Sequence, residues 1–167
     1  MKKHSNTNHS MVEEPMAAYS TTGAIGASLY FLGGKSVFTG KTEIKGKYDY
    51  INIIRKGLTR KSLDYLMQYT GISTLEMADI IHTSDRTLRR YTSETILNPE
   101  QSERALEIAR LYTRGEEVFD SLDAFKTWMD SNVMALGNKK PKEFLDTSLG
   151  IELLMEELGR IEHGVFA

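Results

Sequence analysis

The chain has 167 residues, 40% of them hydrophobic, with no cysteine and a formal net charge of -2. That length and apolar share support a real core in one domain or two small ones, while the lack of cysteine excludes a disulfide framework and thiolate metal sites and fits a reducing compartment. Charge is unevenly spread: residues 1–50 hold 6 Lys/Arg against 4 Asp/Glu, residues 51–114 hold 10 against 8, and residues 115–167 hold 5 against 11. A mildly basic front and an acidic rear fit two different partners, and equally an ordinary solvated surface.

Residues 1–16 are polar and read as a disordered arm. Lys2 and Lys3 are followed by polar residues, so a secretory leader is not expected, and no apolar run reaches the ~18 residues of a membrane span. A soluble, cytoplasmic protein without a membrane partner is therefore expected. Residues 17–46 are rich in Gly, Ala, Ser and Thr and lack a sustained helical period. Within them, GGKS (33–36) and GKT (40–42) resemble the end of a phosphate-binding loop, which needs Gly five residues before its Gly-Lys pair. Leu29 and Lys35 stand there instead, so both candidates fail. The stretch 1–46 is read as a flexible N-terminal arm of open role.

From about residue 50 the pattern is helical, with almost no strand alternation. Leu63, Leu66, Met67 and Thr70 share one helical face closed by Gly71, and Ser73 to Ile81 forms a second helix with Leu75, Ala78 and Ile81 on one face. A third helix begins after Ser84, and a fourth runs from Pro99 to about Thr113, with Gly115 as the next break.

TLEMADIIHTSDRTLRRY (74–91) meets the demands of a helix-turn-helix. Such a unit needs a small residue where the helices cross, an apolar residue near the turn and another facing back from the second helix; Ala78, Ile81 and Leu88 stand at those places. The second helix then offers Ser84, Arg86, Thr87, Arg89 and Arg90 to DNA, where helix-end N–H groups and arginines meet phosphates and guanine edges. The turn position often held by Gly is His82, which must accept the conformation the turn imposes. A helical hairpin with solvated arginine ion pairs accounts for the same residues. A palindromic operator would require a homodimer.

Beyond Gly115, Ser121 caps a helix with Leu122, Phe125, Met129 and Val133 on one stripe and Trp128 beside it, read as core. The loop ALGNKKPKEF carries the turn formers Gly137 and Pro141. A last helix, capped by Asp146 or Thr147, shows Ile151, Leu154, Met155, Leu158 and Ile161 at helical spacing and ends at Gly164. The fold class is mainly α: a helix-turn-helix domain over 47–114, then a small helical domain over 115–167. No carboxylate cluster, metal-ligand spacing or nucleophile-base pair appears, so no catalytic residue, metal or cofactor is expected.

RTLRRY, LNPEQSERALEIARLY, the helix with FKTWM, ALGNKKPKEFLDTSLG and LGRIEHGVFA together resemble the Xre-type antitoxins of RES-Xre toxin-antitoxin systems, whose rear domain is shared with MbcA and ParS proteins. The resemblance covers about residues 50–167. That family commonly has Gly-Gly after ALG, where this chain has Gly137-Asn138. The resemblance implies a non-enzymatic antitoxin that binds a RES-domain toxin consuming NAD, covers its active site, forms hetero-oligomers with it and represses their shared operon on operator DNA. It also implies that Arg160, Ile161, Glu162, His163, Gly164, Val165, Phe166 and Ala167 enter or cover the toxin cleft. The residues alone leave open a helix-turn-helix regulator or adaptor whose rear domain binds a partner that is not a toxin.

Overall fold

Helix starts follow side-chain caps wherever Ser, Thr or Asn precedes an apolar run. The computed structural model describes residues 27–37 and 46–164. Its helices are α1 (Gly34–Val37), α2 (Lys47–Lys56), α3 (Arg60–Thr70), α4 (Thr74–Ile80), α5 (Asp85–Arg90), α6 (Pro99–Phe119), α7 (Leu122–Met129) and α8 (Ser148–Glu162), with 3-10 turns at Tyr30–Leu32, Met134–Leu136 and Pro141–Phe144. Thr59, Ser73, Ser84, Asn98, Ser121 and Thr147 each accept a backbone N–H three residues on, and each such cap contributes about 1 kcal/mol. No strand forms among the described residues; Thr59 with Ile96 and Val133 with Lys139 are isolated bridges.

Helix α6 is the spine. It packs against α2 and α3 on the front and α7 and α8 on the rear. Ala105, Leu106, Ile108, Ala109, Leu111 and Tyr112 are buried along it, so both halves of the chain share one core. The helix does not break at Gly115. It continues to Phe119 and ends at Asp120, whose φ is 54°. Gly115 serves the packing instead: a Cβ there would lie 2.5 Å from atoms of the Phe125 ring. Phe125 is wholly buried, with Tyr112 edge-on at 5.0 Å and Phe119 and Trp128 each at 5.7 Å. Trp128 itself is half-buried at the rim of this group.

Three other expectations change. Leu29, Phe31 and Leu32, inside the stretch read as an arm, are buried in the core, where Phe31 meets Tyr69 edge-on at 5.9 Å. Of the two GK motifs, GKT lies outside the described residues, while Gly33 and Gly34 belong to the 3-10 turn's cap and the start of α1. Leu75 is 58% exposed, because α4 turns Met77, Ala78 and Ile80 inward instead. Val133 lies past the end of α7, where its backbone pairs with Lys139.

In the rear loop, Gly137 (φ 70°) and Asn138 (φ 61°) are consecutive left-handed residues, so asparagine fills the second position where the resembling family has glycine. Helix α8 buries Ile151, Leu154 and Leu158 against α6. Ile161 sits one turn beyond them and is half-exposed, outside the buried cluster.

Candidate functional site

Two surfaces carry the residues singled out above. The first is α5. Leu88 is its buried anchor, and with Ala78 and Ile81 also buried the hairpin of α4 and α5 is built as the spacing predicts. The opposite face is open: Ser84, Arg86, Thr87, Arg89 and Arg90 are all exposed. Their freedom differs. Ser84 Oγ caps the helix by accepting the Thr87 N–H and lies 2.7 Å from the Thr87 hydroxyl, so the two hydroxyls satisfy each other. Arg89 Nε donates to both oxygens of Asp85 at 2.9 Å, a contact that raises its already high pKa. Arg86 and Arg90 have no carboxylate partner among the described residues. The solvated ion pair weighed as an alternative is thus real for Arg89, while the other two guanidinium groups stay available.

One residue of this surface escaped the sequence. Arg60, at the start of α3, donates from Nη1 to the Leu88 carbonyl at 2.6 Å and pairs with Asp64 at 2.8 Å, bracing the C-terminal end of α5. No local spacing relates positions 60 and 88. His82 adopts φ 56°, the left-handed conformation the turn demands of a residue other than glycine. Its Nε2 donates to the backbone carbonyl of Asp146 at 2.8 Å, which fixes the ring tautomer and ties the turn to the residue before the α8 cap.

A second tie lies beside it. Lys142 Nζ reaches Asp130 at 2.7 Å and Glu76 at 3.0 Å, and both contacts raise its pKa. Glu76 closes the capping box with Ser73, and the two Ser73 hydrogen bonds, with Lys142 behind them, pull its carboxyl down to about 2. The helix-turn-helix is therefore held against the rear loop at its turn and at the start of α4.

The second surface is the end of α8. Glu157 is buried and bonded by Arg160 Nε at 2.7 Å. Glu162 pairs with Arg114 of α6, a partner 48 residues away that sequence spacing does not reveal. His163 is the exposed C-cap, 4.0 Å from Glu162, and Gly164 (φ 66°) ends the helix in the left-handed conformation. Arg160, Ile161, Glu162, His163 and Gly164 thus form the last turn of α8, with Arg160 and Glu162 held by ion pairs and His163 and Gly164 exposed. Val165, Phe166 and Ala167 lie outside the described residues.

A helix-turn-helix braced on a small helical rear domain through one shared helix defines the class: a mainly α protein with a helix-turn-helix domain in front of a small helical domain. Residues 49–110 match the antitoxin Xre-like helix-turn-helix domain, and residues 114–164 match the antitoxin Xre/MbcA/ParS C-terminal toxin-binding domain. The chain is 29% identical to an antitoxin Xre of Yersinia enterocolitica over 120 residues, covering 70% of this chain and 80% of the relative. It is 26% identical over 129 residues to the "Prs ADP-ribosylating antitoxin" of a Sphingobium species, covering 71% and 81%. An antitoxin Xre of Photorhabdus laumondii is 26% identical over 118 residues, covering 68% and 78%. The chain belongs to the Xre/MbcA/ParS family of antitoxins, with a helix-turn-helix domain in front of a toxin-binding domain. No helix among the described residues is long and apolar enough to cross a membrane.

Proposed function

We propose that this protein is a non-enzymatic, cytoplasmic antitoxin that neutralises a RES-domain toxin consuming NAD, and that it represses its own operon as a homodimer and in hetero-oligomers with that toxin. The observation that carries the reading is the end of α8, where Glu162, His163 and Gly164 stand exposed beside the half-exposed Arg160 and Ile161, on a helix whose opposite face is locked into the core. A cleft that binds an anionic dinucleotide is basic, and the rear of this chain holds 11 carboxylates against 5 Lys/Arg. Glu162 is suited to the place of a phosphate, and Val165 and Phe166 supply an apolar anchor. ADP-ribosylation, the chemistry in the name of the Sphingobium relative, consumes NAD and fits a toxin of this kind.

On the DNA side, Arg86 and Arg90 reach bases or phosphates, Arg89 contributes after leaving or sharing Asp85, and Ser84 and Thr87 hold the helix start. The division of labour is between 47–114, which reads DNA, and 115–167, which binds toxin, with Leu29, Phe31 and Leu32 of the preceding stretch packed into their shared core. Deleting residues 160–167 abolishes neutralisation of the co-expressed toxin and leaves operator binding by the free antitoxin intact. Neutralisation that survives this truncation sinks the model. Replacing Arg86, Arg89 and Arg90 by Ala reduces operator affinity and the salt dependence of binding in a gel shift, with toxin binding unchanged.

A further inference from the structure

Helix α8 has a second apolar stripe, on the side away from its core face. Ile151, Leu154 and Leu158 point inward, whereas Leu149 is 75% exposed and Leu153 is half-exposed. Together with Phe144 and Thr147 these two leucines line a groove of about 550 Å³ rimmed by Glu152 and Glu156. The groove is shaped by Gly150: a Cβ there would come 2.1 Å from the Phe144 carbonyl oxygen, so only glycine lets the Pro141–Phe144 turn lie on the first turn of α8. Glu152 and Glu156 have no ion-pair partner among the described residues, while Asp130, Glu157 and Glu162 of the same half are all paired.

We propose that this groove is a docking site for the body of the toxin, separate from the cleft that receives the C-terminal residues. The inference rests on the proposed function and extends it to a second contact. Leu149, Leu153, Glu156, Arg160 and His163 recur at alternating spacings of four and three, which places them on one face of α8. One continuous surface therefore runs from Phe144 to the exposed helix end. The occupant presents apolar side chains flanked by Lys or Arg, because the rim carries unpaired carboxylates and no basic residue lines the groove. A second copy of this chain is the wrong partner, since two such rims face to face would oppose glutamate with glutamate.

The test measures dissociation of purified toxin from the full-length antitoxin at fixed salt. The variants are Leu149→Asp, at an exposed first-turn position where Asp is tolerated, and the charge reversal Glu152→Lys with Glu156→Lys. Each speeds toxin release by roughly tenfold or more, leaves thermal melting and operator affinity unchanged, and still neutralises the toxin at saturating antitoxin. The effect of the charge reversal shrinks as salt rises. Unaltered release in both variants, with neutralisation still lost on deleting residues 160–167, overturns the groove and leaves the proposed function standing. No complex with the wild-type chain overturns both. Conversion of a dimer to a monomer by Leu149→Asp, seen by sedimentation, assigns the groove to self-association and overturns the proposal.

Discussion

Gly115→Ala sets two effects of known sign against each other. In an exposed helix interior the change stabilises by about 1 kcal/mol, because glycine loses more backbone freedom on folding. In this protein the added Cβ lies 2.5 Å from three atoms of the Phe125 ring, and that ring cannot withdraw because Tyr112, Phe119 and Trp128 surround it. Overpacking of this kind costs up to about 3 kcal/mol, so the net effect is a loss of about 2 kcal/mol. For a chain of this size that lowers Tm by roughly 4–8 °C, measurable by differential scanning calorimetry. Phe125→Leu alone also destabilises, yet combined with Gly115→Ala it relieves the clash, so the double mutant is more stable than additivity requires by about 1 kcal/mol or more. A Gly115→Ala protein more stable than wild type would refute the argument, since propensity would then outweigh the helix crossing.

Replacing His82 separates strain from bonding. His82→Gly relieves the left-handed backbone while losing the bond to Asp146 and stays within a few tenths of a kcal/mol of wild type, whereas His82→Ala loses the bond without relief and unfolds about 1 kcal/mol more easily in urea. Glu76 has a depressed folded-state pKa, so its contribution is fully present above the unfolded value of 4.5 and is lost as pH falls toward about 2. Its side chain is 42% exposed and solvent-screened, so Glu76→Gln costs only about 1 kcal/mol at pH 7. The gap between wild type and Glu76→Gln closes on acidification in urea titrations stepped from pH 6 to 3; a constant gap refutes the assignment. Arg114→Ala frees Glu162, and hydrogen exchange at residues 161–164 quickens while global stability changes by less than about 1 kcal/mol.

Local chemistry decides where helices start and where the buried anchors of the helix-turn-helix fall, and those features were legible in the sequence. Ser84, Ser121 and Thr147 cap where the sequence places helix starts, and Ala78, Ile81 and Leu88 occupy the buried places of the helix-turn-helix. Both rest on interactions within a few residues, which a linear reading captures. The resemblance in turn matched the family of both domains. What spacing could not decide are the contacts between residues far apart in the chain. Gly115 reads as a break until Phe125 is seen against it, and Leu29, Phe31 and Leu32 read as part of an arm until Tyr69 and Tyr112 are seen to receive Phe31. Likewise Arg60 on Leu88, His82 on Asp146 and Arg114 on Glu162 join residues 28, 64 and 48 positions apart. Only the tertiary fold brings these partners within bonding distance, and it thereby decides which arginines are free, which carboxylates are spent, and which face of α8 is left open.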